Sequence, residues 1–120
     1  MTKLLRIDAS ARTSRSLTRT LADAFTDNWM SRCPHADIVR RDVGRNPPPI
    51  ISEEGIAAAF AKTRSPEQER LLSLSDELIT ELNEAQLIVL AAPMYNYGMP
   101  AALKAWFDQV VRIDKTFTFD

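Results

Sequence analysis

From Gln86 to Ala92 the chain reads Gln-Leu-Ile-Val-Leu-Ala-Ala, apolar after its first residue and with no polar side chain at alternate positions. A strand with one wet face alternates between apolar and polar residues. A strand that does not alternate is covered on both faces, which is the signature of a parallel sheet sandwiched between helices. The run therefore predicts the central strand of an α/β sheet, and the remaining sequence must supply helices for both faces.

The flanking segments supply them. Leu4–Asp8 is short and apolar and passes into the polar stretch Ala9–Arg15, as a buried strand passes into a loop. From Ser16 the positions Leu17, Leu21, Ala24 or Phe25, and Asn28 to Trp29 recur at helical spacing until Cys33-Pro34 stops the pattern. Asp37–Val43 predicts a strand whose charges suit an exposed edge, and Gly44-Arg-Asn-Pro-Pro-Pro49 ends it. The stretch 50–64 reads as a surface excursion holding a short alanine-rich helix. Ser65-Pro66-Glu67-Gln68 starts a helix with a serine cap, proline in the first turn and a capping-box glutamine. Leu71, Leu74, Leu78 and Leu82 then form one face, flanked by Leu72 and Ile79. After the loop Pro93–Met99, Pro100 opens a last helix through Leu103, Trp106, Phe107, Val110 and Val111. Lys115–Asp120 alternates polar and aromatic residues and predicts the beginning of another strand.

The order β-α-β, excursion, α-β-α predicts a single domain over residues 1–120: a doubly wound parallel sheet in three αβα layers. Three strands are few for such a sheet, and the fold reads as incomplete.

Composition narrows the function. Fifteen basic and sixteen acidic residues give a net charge of -1, so no global field draws the chain to nucleic acid. The lone Cys33 and lone His35 exclude a disulfide framework and supply too few ligands for a structural zinc. Both read as structural residues. No apolar stretch approaches the ~20 residues of a membrane helix, and a cytoplasmic protein is expected. Only three glycines are present, so neither a dinucleotide fingerprint nor a Walker loop can be written.

In such a sheet ligands bind beyond the carboxyl ends of the strands, between the first and third in chain order. Two loops leave those ends. The first carries hydroxyls at Ser10, Thr13, Ser14, Ser16 and Thr18 and runs into a helix N-terminus, where free N–H groups and the helix dipole attract a phosphate monoester. Ser16 also reads simply as a helix cap. The second loop, with Met94, Tyr95, Asn96 and Tyr97, suits a flat heteroaromatic ring. It reads equally as a turn with surface tyrosines. Arg12, Arg15 and Arg19 lie in or next to the first loop and could assist a phosphate or pyrophosphate through charge-assisted bonds, but read first as a solvated charged face.

Ser10 through Ser16-Leu17-Thr18, then Ala92-Pro-Met-Tyr-Asn-Tyr97, then Pro100-Ala-Ala-Leu-Lys-Ala-Trp-Phe-Asp108, resembles the FMN-dependent NADH azoreductases of the flavodoxin-like quinone reductase superfamily. The resemblance spans essentially the whole chain. It implies a flavodoxin-like FMN-binding domain, with the FMN phosphate held at Ser10, Ser16, Leu17 and Thr18 and the isoalloxazine and ribityl against Met94, Tyr95, Asn96 and Tyr97. It implies NADH as electron donor, quinones or azo compounds as acceptors, and homodimers with two active sites at the interface. Family members are longer and add a loop after a fourth strand, so the chain is expected to be a C-terminally truncated form. An inactive FMN-binding domain is one alternative to the enzyme. A flavodoxin-like electron carrier is another, although such carriers are strongly acidic. An acyl carrier protein phosphodiesterase would need metal ligands or an activated nucleophile, and neither constellation is found.

Overall fold

The computed structural model describes residues 2–119. Three parallel strands, β1 (Lys3–Asp8), β2 (Asp37–Asp42) and β3 (Leu87–Ala91), lie in the order β2-β1-β3. The register runs Leu5 beside Val39 on one side and beside Ile88 on the other. This is the expected flavodoxin-like arrangement, with β1 and β3 as neighbours and the charged β2 at an edge.

The four helices are α1 (Leu17–Arg32), α2 (Glu53–Phe60), α3 (Pro66–Glu84) and α4 (Ala101–Val110). The predicted starts hold. Ser16 caps α1, Ser65 and Gln68 close a reciprocal capping box on α3, and the excursion contains α2 capped by Ser52. Alternation along β1 separates two faces. Leu5, Ile7 and Ala9 meet Leu78 and Ile79 of α3 and Leu103, Trp106 and Val110 of α4 in the main core. Arg6 on the other face reaches Asp23 and Thr26 of α1. The layers are therefore α1, sheet, and α3 with α4, while α2 lies on α3.

Three expectations fail. The run 86–92 is not the central strand, because β1 occupies the middle of the sheet and β3 its edge. Ile88 and Leu90 are consequently 42% and 45% exposed, although their composition suits burial. The apolar row of α1 does not face the sheet. Leu17, Leu21 and Phe25 are exposed, whereas Ala22 and Thr26 are buried. The reason lies in β1, whose face toward α1 carries Arg6 and Asp8, so the helix presents polar and small residues to an ion cluster. Finally, 115–119 forms no strand. Ile113 and Phe117 make one isolated bridge around a turn with Asp114 at φ 63°, and Asp120 lies outside the described residues.

Candidate functional site

Beyond the carboxyl ends of β1 and β3 the chain leaves in opposite directions, toward α1 on one face and α4 on the other. The two exit loops lie beside each other at this end of the sheet. Ala9 N–H extends the ladder to Ala91 O at 3.0 Å, and the loops diverge from there.

In the first loop Ser10 is buried and its Oγ accepts the Arg12 N–H at 3.1 Å, which curls the chain back on itself. Arg15 takes a left-handed conformation, φ 57°, to turn the chain into the helix. Ser16 Oγ accepts from Arg19 N–H at 3.2 Å and lies 3.4 Å from Thr18 Oγ1. The capping role of Ser16 is thus real, and the same hydroxyl lies beside that of Thr18. The first two helical N–H groups, of Leu17 and Thr18, have no acceptor among the described residues. The side chain of Leu17 is exposed.

In the second loop Tyr95 and Gly98 exchange both backbone hydrogen bonds, at 2.9 and 3.1 Å, closing a two-residue turn over Asn96 and Tyr97. Both central residues have positive φ, 51° and 65°. Asparagine tolerates that region, but tyrosine pays a steric penalty of roughly 1–2 kcal/mol there. The turn projects Tyr97, 96% exposed, and leaves Met94 largely uncovered.

The loops touch. Ala11 N–H donates to Tyr95 Oη at 3.0 Å, so the loop that carries Ser10, Ser16, Leu17 and Thr18 meets the loop that carries Met94, Tyr95, Asn96 and Tyr97. Hydroxyls and free N–H groups on one loop beside an exposed aromatic and thioether surface on the other can take a phosphate-bearing planar heterocycle.

Sequence reasoning missed what lies beneath the loop. Arg19, expected on a solvated face, has an 11% exposed side chain and binds Asp42 with both terminal nitrogens, at 2.7 and 2.9 Å. That bond holds the Asp42 carboxyl below its ordinary range. Arg6 pairs with Asp8 and Asp23, and Arg40 also reaches Asp8, so three guanidiniums and three carboxylates form a charge-balanced cluster. One signal for Arg19 was present in the sequence. A cation in the first turn of a helix sits at the positive end of the dipole, with no acidic residue there to offset it, and needs a partner elsewhere. Gly44 is the other missed residue. A Cβ at that position would stand 2.0 Å from Ser10 O.

An apolar hollow of about 510 Å³ between Pro49, Phe60, Leu71 and Phe119 contains none of the residues of either loop. Among the described residues no helix is long and apolar enough to cross a membrane.

A family described as having a flavodoxin-like fold matches residues 2–120. A protein of Colwellia psychrerythraea named FMN-dependent NADH:quinone oxidoreductase 2 is 51% identical over all of this chain and 59% of its own length. A namesake from Idiomarina loihiensis is 46% identical over all of this chain and 54% of its own length. The chain thus spans between half and three-fifths of these relatives. Among solved structures, an azoreductase from Bacillus anthracis superposes with a TM-score of 0.89 at 24% identity, over all of this chain and 60% of that one. An FMN-dependent NADH-azoreductase from the same species, solved with FMN bound, gives 0.87 at 18% identity over the same shares. At such identities the likeness is one of fold.

Proposed function

The chain belongs to the flavodoxin-like fold family, and from that premise we propose that it serves an FMN-dependent reductase of quinones or azo compounds with NADH as electron donor. The observation that carries this reading is the bond from Ala11 N–H to Tyr95 Oη, which holds a hydroxyl-bearing loop against an aromatic one. The printed names of the Colwellia and Idiomarina relatives support the same chemistry.

The donor set fits the cofactor. The hydroxyls of Ser10, Ser16 and Thr18 and the N–H groups of Leu17 and Thr18 suit a phosphate at a helix N-terminus. Met94, Tyr95, Asn96 and Tyr97 suit a flat ring and a polyol chain. When bound, FMN supplies the ring that takes up a hydride and passes it on. The residues of this chain bind, orient and shield. Asn96 would offer an amide to the bound flavin, and Met94 and Tyr97 would shield it from water. The near-fully exposed Tyr97 suits a homodimer with the site at the interface, and the single cysteine suits the cytoplasm.

The test is a titration of the purified chain with FMN, followed by quenching of flavin fluorescence. One flavin per chain is expected, after which NADH oxidation coupled to a quinone is the next assay. A folded chain that leaves flavin fluorescence unchanged refutes the reading.

A further inference from the structure

We propose that Arg19, clamped by Asp42, is a positioning residue that fixes the first loop in its anion-accepting shape; the inference rests on the FMN reading. Four hydrogen bonds leave one guanidinium. Two go to the Asp42 carboxylate. Nη2 also donates to Ser10 O at 2.8 Å, and Nε donates to Arg12 O at 2.7 Å. The fork thus holds two loop carbonyls, and the carboxylate fixes the fork.

The consequence follows from the peptide plane. In a trans peptide the C=O of one residue and the N–H of the next point in opposite directions. With the Ser10 and Arg12 carbonyls drawn down to Arg19, the N–H groups of Ala11 and Thr13 face away from it. For Ala11 the prediction is met, because its N–H meets Tyr95 Oη. The Thr13 N–H has no acceptor among the described residues and is left to the ligand. Carbonyl oxygens would repel a phosphate at this spot, so pinning them below and turning the amides outward converts an indifferent loop into an anion receptor. Because Asp42 balances the guanidinium charge, the contribution of Arg19 is geometric: it orients the donors and adds little net field.

The experiment compares Arg19→Lys and Asp42→Asn with the wild type in the full chain. It measures dissociation constants for FMN and for riboflavin, which lacks the phosphate, and hydrogen exchange of the loop amides without flavin. Lysine keeps the charge but cannot bridge Asp42 and both carbonyls. FMN affinity is expected to fall about tenfold or more and riboflavin affinity less than about twofold. Exchange should accelerate at Ala11 and Arg12, whose N–H groups hold acceptors in the loop, and stay unchanged in β1 and α3. An unchanged FMN-to-riboflavin ratio overturns the proposal, as does an equal loss for both flavins with protection lost throughout the chain. If the wild type binds neither flavin, the cofactor reading fails and takes the phosphate half of the proposal with it. The exchange pattern then decides the clamp alone: acceleration confined to Ala11 and Arg12 upholds it, and unaltered exchange overturns it.

Discussion

A single methyl group added at Gly44 should dismantle the loop above it. Placed there, a Cβ stands 2.0 Å from Ser10 O, 2.7 Å from Ser10 C and 3.0 Å from Ala9 C. A carbon-to-oxygen contact is comfortable at roughly 3.3 Å, so the Ser10 carbonyl must retreat by about 1.3 Å. Every obstructing atom is backbone, and none can rotate away. The same oxygen accepts from Arg19 at 2.8 Å, and the next peptide nitrogen donates to Tyr95 at 3.0 Å. Overpacking of this kind costs about 1–3 kcal/mol, and loss of a bond to a charged donor adds about 1.5–3 kcal/mol. Gly44→Ala should therefore lose about 3 kcal/mol or more, a large share of the stability of a small domain. Urea unfolding followed by tryptophan fluorescence measures the loss, and FMN titration of the surviving folded fraction should show weakened binding. Gly98→Ala is the control. Its Cβ would meet only Tyr95 O at 3.9 Å, and the change should stay within about 0.5 kcal/mol. A Gly44→Ala protein as stable as this control, with wild-type flavin affinity, refutes the reasoning.

Other expectations follow from the same geometry. Tyr97→Gly relieves a left-handed tyrosine in a turn that favours glycine, so thermal unfolding should show a gain of about 0.5–1 kcal/mol while FMN binding weakens; a loss of stability would contradict the strain. Tyr95→Phe removes the acceptor of Ala11 N–H, and FMN affinity should drop severalfold with stability changed by less than about 1 kcal/mol. For Asp42 the hydrogen bond from Arg19 depresses the folded pKa below the unfolded one, so its stabilisation is complete above about pH 4 and is lost as pH falls through the lower folded value. Asp42→Asn should accordingly flatten the acid arm of a stability profile below about pH 4, and parallel wild-type and variant curves would contradict this assignment.

Much of this fold was legible because the signals were local. Ser65-Pro66 with Gln68, Ser16 ahead of a periodic run, and Pro100 before Leu103 and Trp106 mark helix starts that need no tertiary information. The parallel sheet followed from the unbroken apolar run at 87–92. That run also misled, because composition records the surroundings a strand suits and not its rank among neighbours. β3 carries central-strand residues at an edge position. The outward row of α1 misled for a related reason. Apolar spacing marks a helix, but the buried face is chosen by what lies opposite, and here Arg6 and Asp8 lie opposite. The candidate site divides the same way. Its two loops were visible as motifs, while the roles of Arg19, Asp42 and Gly44 were not, since they depend on contacts across 7 to 34 positions of sequence, including Arg19 to Arg12, Arg19 to Asp42 and Gly44 to Ser10.

The contact between Ala11 and Tyr95 closes a circuit of 84 positions. Closure entropy grows with the logarithm of such a circuit, and parallel pairing over similar distances is slow beside helix formation, which takes on the order of a microsecond. During refolding the crevice therefore assembles late, after the helices between its two walls have formed and β3 has found β1. Flavin quenching in a stopped-flow refolding trace would lag the helical signal, and would serve as a clock for the arrival of the completed topology.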